Sequence, residues 1–292
     1  MCQFQNKPVF GKLFRGNGFG KPSYRSRHAL SRRQQRRGLT LAELLIASTI
    51  MAMMTVGMAS LAFTVETGNR HAKNLGIATQ HARVAIGRIE RALYSAHTSE
   101  QFPGFAVFSE TEGSYSFPDT LVIWHLTGAP QDPDGLPRFN ELVIFCPDPS
   151  APNKLLEITV PSDTRTVPDL NDESTWLSEL SSIKSSQGAT VVQLTDLLRS
   201  ATTQGAVTRG AVRFIATVRP TEDEWTDYKD GNKAWEEIAW VQDIYGSQTG
   251  LRQSWCRFEL QLMPGEKAVR EPAGVRPIPF FGSAAIHYEL HK

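Results

Sequence analysis

Three residues within six positions carry the most distinctive chemistry of this 292-residue chain: Gly38, Leu39 and Glu43, in the stretch "RRQQRRGLTLAELLIASTIMAMM" (32–54). A glycine at the end of a basic run lets the backbone lie extended with no side chain in the way. Glu43 is a lone carboxylate at the head of an apolar stretch, and the 22 residues from Leu44 to Val65 carry no charge. Placing such an acid in hydrocarbon costs roughly 2.5–3.5 kcal/mol, so it calls for a positive partner. The alternative is a glutamate one helical turn inside the lipid that reaches back to the headgroups.

Other residues of reactive type have weaker spacing. Cys146 and Cys256 both sit in strand-like contexts, "ELVIFCPDP" and "SWCRFELQL", and are either two buried thiols or a disulfide in an oxidising compartment. Asp132 and Asp134 before Gly135 start a calcium-loop pattern that no acid completes at its twelfth position, which favours a simple turn. Glu222, Asp223, Glu224, Asp227 and Asp230 read as a solvated acidic loop. The seven histidines pair with neither cysteine nor acid, so no metal site and no cofactor are expected. Phosphate-binding loops, nucleophile elbows and Cys–His arrangements are missing, and the expected protein is not an enzyme.

These residues are positioned by a chain of uneven charge. Residues 1–37 hold ten Lys or Arg and no acid, which leaves 21 basic residues against all 30 acids in the remainder. A basic arm of this kind binds nucleic acid or marks the cytoplasmic flank of a membrane segment. The apolar run that follows decides for the membrane, because about 20 helical residues cross a hydrocarbon core of roughly 30 Å. Residues 39–65 therefore read as a single membrane-spanning helix whose hydroxyls bond back to its own backbone. Leu75, Ala78, Ala82, Ala85, Ile89, Ala92 and Leu93 continue it as an amphipathic stripe through 66–98, with Gly57, Gly68, Gly76 and Gly87 as points where it can bend. From 99 to 292 the pattern turns to short β-type runs at 105–108, 120–126, 141–146, 155–160, 211–218, 237–242, 255–262 and 284–290. Between them, "DESTWLSELSSIKSS" and "TVVQLTDLLRS" read as two short helices, or a helix and a strand. The fold class is α+β, a long helix laid against an antiparallel sheet.

The basic leader, Gly38, the apolar start, Glu43 as fifth residue after the glycine and the unbroken apolar helix together resemble the processing signal of the type IV pilin superfamily. That superfamily includes the pseudopilins of type II secretion. The resemblance implies a leader, 1–38, removed between Gly38 and Leu39 by the prepilin peptidase, with N-methylation of the new amine on Leu39. It implies that Glu43 meets that amine on a neighbouring subunit. It also implies a chain held in the inner membrane by one span, N-terminus cytoplasmic and β-rich domain outside, until an assembly platform adds it to a filament of pilin or pseudopilin subunits. Lipid is its partner before assembly, and no nucleic acid is directly expected. Leu39 stands where the family more often has Phe or Met, and the proline that kinks major pilins is missing. The length of the chain and "VAIGRIERALYSAH" resemble the larger minor pilins or minor pseudopilins. The competing expectation is a single-pass anchored binding or enzymatic domain outside any filament.

Overall fold

The computed structural model describes residues 38–203, 206–242, 246–265 and 276–290. The leader expected at 1–38 lies outside them, apart from Gly38. The chain divides into two compact units, Met1–Met58 and Ala59–Lys292. One helix, α1 (Leu41–Tyr94), begins in the first and ends in the second. It is continuous through all four of its glycines, at each of which an added Cβ would meet open space.

The second unit confirms the α+β class with two antiparallel sheets. Strands β1 (Phe105–Glu112), β2 (Tyr115–Trp124), β3 (Leu142–Pro147), β4 (Leu155–Thr159) and β5 (Thr190–Thr195) form a five-stranded meander in chain order. A small hairpin, β6 (Ser200–Thr202) and β7 (Thr208–Gly210), precedes β8 (Val212–Arg219). Strands β9 (Leu251–Leu262) and β10 (Ile278–Glu289) complete a second sheet in the order β10-β9-β8. Helix α2 (Glu173–Lys184) follows β4, and α3 (Glu222–Lys229) follows β8.

Strand composition explains which faces are covered. The runs "LVIW" and "LVIFC" in β2 and β3 are apolar at every position because both faces of that sheet are buried. Leu121, Ile123, Val143 and Phe145 point to α1, where Ala78, Ala82, Ala85, Ile89 and Leu93 meet them. Val122, Trp124, Leu142, Ile144 and Cys146 point the other way, to Trp176, Leu180 and Ile183 of α2. The alanines on α1 let its backbone lie close to the sheet. In β9, by contrast, buried and wetter residues alternate strictly, which is the mark of a sheet with one face open.

Several sequence expectations need correction. Residues 237–242 form no strand; a 3-10 turn at Trp235–Glu237 leads into a chain whose Ile238 is buried with Trp225 and Trp235. The acidic "TEDEWTDYKD" is not a loop but α3, started by a reciprocal cap in which Thr221 and Glu224 each bond the other's backbone. Leu75 is exposed, so the buried stripe begins at Ala78. Of the two segments left ambiguous, the first is helix α2 and the second supplies β5.

Cys146 and Cys256, for which a disulfide stood open, are free buried thiols lying in separate core clusters on different sheets. Burial pushes each thiol up to about 12, which keeps both protonated and unreactive. The Asp132 carboxylate lies against Gly135 in an irregular bend, and among the described residues no group of three His, Cys, Asp or Glu could hold a metal.

Candidate processing and assembly site

The site is built from the first turn of α1 outward. Thr40 precedes the helix and caps it: its N–H and its hydroxyl donate to Glu43 Oε2 at 2.9 and 3.0 Å, while the Glu43 N–H donates to Thr40 Oγ1 at 3.2 Å. This is a capping box, written in the sequence as "TLAE", which satisfies donors the first turn would otherwise leave unpaired. Its signal in the sequence is a threonine three residues ahead of the glutamate.

The cap has a consequence for the neighbouring peptide bond. Because Thr40 ends the helix on its N-terminal side, Gly38 and Leu39 lie outside regular structure. Both are exposed, Leu39 at 77%, and nothing stands within 4 Å of where a Gly38 side chain would project. A peptidase must draw its substrate into an extended strand, and here no helical hydrogen bonds have to break first. Glu43 itself is exposed, and among the described residues its carboxylate meets only Thr40 and no cation.

Beyond the cap, α1 presents apolar side chains all round. Leu44, Ile46, Met51, Met54, Met58 and Phe63 are each more than half exposed. A patch of this extent exceeds what water-soluble monomers leave open and requires lipid or another protein surface. The helix is long and apolar enough to cross a membrane. Its polar side chains are adapted to that: Ser48 and Thr49 donate to the Leu45 carbonyl at 2.9 and 2.6 Å, and Thr64 donates to that of Ser60 at 2.9 Å. The later part of α1 is fixed to the sheets by its alanine stripe and one strong ion pair. Arg88 Nε and Nη2 reach the two oxygens of Glu157 on β4 at 2.6 and 2.7 Å, and the Glu157 hydrogen bond raises the Arg88 pKa. His81, on the same helix, lies 3.0 Å from the Thr195 hydroxyl and 3.8 Å from the Asp196 carboxylate, and among the described residues it belongs to no group of three that could hold a metal.

Residues 33–59 match the family model described as the prokaryotic N-terminal methylation motif. No curated protein and no solved structure matches the chain. The matched motif, the long apolar helix that follows it and the β-sheet domain together fit a type IV pilin-like protein. Gly38, Leu39, Thr40 and Glu43 all fall within the matched segment, whereas the β-rich domain lies wholly beyond it.

Proposed function

We propose that this chain is a structural, non-enzymatic subunit of a type IV pilus or type II secretion-type filament, cut after Gly38 and N-methylated on Leu39. The observation that carries this reading is the methylation-motif match at 33–59, a segment that holds an accessible Gly38 and, five residues on, the lone Glu43. The basic leader stays on the cytoplasmic side by the positive-inside rule, and residues 39–65 rest in the inner membrane. The domain from 99 onward is extracytoplasmic, joined to the span by the amphipathic part of the helix, 66–98. Its size suits a minor subunit.

Cleavage changes the chemistry around Glu43. The new amine on Leu39 is a cation that the uncut chain does not possess, and on a neighbouring subunit it supplies the partner that a carboxylate in an apolar environment needs. The pairing sets the axial step between adjacent helices, while Ala47, Ala52 and Gly57 permit close approach. Partners are then the prepilin peptidase, the assembly platform and other pilin-like subunits. Mass spectrometry of the mature N-terminus tests the proposal: the expected peptide begins at N-methylated Leu39. Retention of Met1, or a cut elsewhere, would overturn it in favour of an ordinary anchored domain.

A further inference from the structure

The outer face of the β8–β9–β10 sheet is open, and the side chains on it are not those of a solvated surface. Its central positions carry Arg213 and Ile215 on β8, Trp255, Arg257 and Glu259 on β9, and Phe281 on β10. Phe281 is 70% exposed and Ile215 40%, and neither they nor Trp255 belong to any of the three core clusters. Together with Glu90 of α1 these residues line a groove of about 520 Å³. Arginine, tryptophan and phenylalanine without lysine is the composition of a protein interface core.

The charges of this groove fit one another across two molecules. Arg213 and Arg257 have no carboxylate within ion-pair distance among the described residues. Arg257 instead stacks on Trp255, 4.8 Å from its ring centre. Among the described residues, Glu259 accepts only from Gln261, at 2.7 Å, and Glu90 is likewise without a cation. Arg213 and Glu259 are register partners across β8 and β9, yet no ion pair joins them, and two cations with two anions on one patch make it neutral and self-complementary. A polyanion such as single-stranded nucleic acid would meet the two glutamates; a second copy meets an arginine with each of them.

We propose that two copies of this chain pack through the outer faces of their β8–β9–β10 sheets, with Arg213 and Arg257 of each facing Glu90 and Glu259 of the other around a core of Phe281, Trp255 and Ile215. Such a contact is isologous, so one patch serves both partners. Two strands of 12 residues and one of eight, about 4.8 Å apart at about 3.4 Å per residue, offer roughly 520 Å² per copy. Both faces together come to about 1,040 Å², at the roughly 1,000 Å² that separates specific interfaces from incidental contacts. The contact requires only two adjacent copies, so a subunit present in small numbers can make it. It goes beyond the filament reading and is independent of cleavage at Gly38.

The test uses the full chain in detergent, followed by sedimentation velocity over a range of concentration. The wild-type chain is expected to dimerise. Arg213→Glu with Arg257→Glu, and separately Glu90→Arg with Glu259→Arg, are each expected to weaken dimerisation at least about tenfold through like-charge contact. Mixing the two double variants restores a dimer, because an acidic face then meets a basic one. Phe281→Asp, at a position where folding buries little, weakens it as well, with thermal unfolding unchanged. A monomeric wild-type chain, association unaltered in every variant, or failure of the mixture to restore it overturns the proposal. Binding of a short oligothymidylate that is lost in Arg213→Glu/Arg257→Glu, without a change in self-association, assigns the face to nucleic acid instead.

Discussion

At the scale of single residues, Glu43 has two relationships available to it, and they can be separated. In the isolated chain it is half of a capping box with Thr40. In the proposed filament it faces the amine of another subunit. Thr40→Ala removes a cap worth about 1 kcal/mol and frays the first turn, yet leaves the carboxylate in place. Glu43→Ala removes both the cap and the charge. The expected outcome is a modest reduction of filament incorporation for Thr40→Ala and near-complete loss for Glu43→Ala, read by immunoblot of sheared filaments against membranes. Equal losses would reduce Glu43 to a helix cap. The sequence made Glu43 legible because a lone acid in an apolar run is costly and therefore conspicuous. Thr40 was not legible in the same way, since one threonine before a helix is common, and its meaning depends on the residue three places on.

At the scale of elements, the long helix and the continuous apolar strands could be read directly, since their periodicities are set by burial. The 3.6-residue stripe on α1 and the apolar runs of β2 and β3 are cases in point. Residues 237–242 look like a strand by composition but are held by tertiary packing against a tryptophan cluster, which no local pattern reveals. The Arg88–Glu157 pair was equally hidden, because its partners are 69 residues apart. Glu157 is fixed on the α1 side of β4, with its side chain only 6% exposed and that of Arg88 49%. Arg88→Met leaves that buried carboxylate without its donor, at an expected cost of about 1–3 kcal/mol, nearer the lower end because the arginine is half solvated. Urea unfolding of the detergent-solubilised chain measures it. Adding Glu157→Gln to Arg88→Met is expected to recover part of the loss, since a neutral amide is cheaper to bury. No loss in the single variant would mean that the alanine stripe alone holds α1 to the sheet.

At the scale of the whole molecule, the chain combines surfaces suited to three environments: a basic leader, an apolar helix and an acidic body. The helix is the element fitted for membrane attachment, because residues 44–65 present no charge and leave apolar side chains uncovered on every side. Attachment should therefore resist both high salt and alkaline carbonate and yield only to detergent, with or without the proposed cut after Gly38. Were the ten basic residues of the leader responsible instead, salt would release the chain, since attraction to anionic lipid falls off within a Debye length of about 8 Å at physiological ionic strength. Replacing Ile50 and Met54 by arginine sharpens the distinction. Both lie on one face of the helix, exposed and far from the cap, so neither substitution disturbs the body. Each places a charge near the bilayer centre at about 2.5–3.5 kcal/mol, enough together to shift the chain from the membrane pellet to the soluble or aggregated fraction. Fractionation and immunoblotting read the result. Full membrane retention of the double variant would place the anchor elsewhere than in the first half of α1.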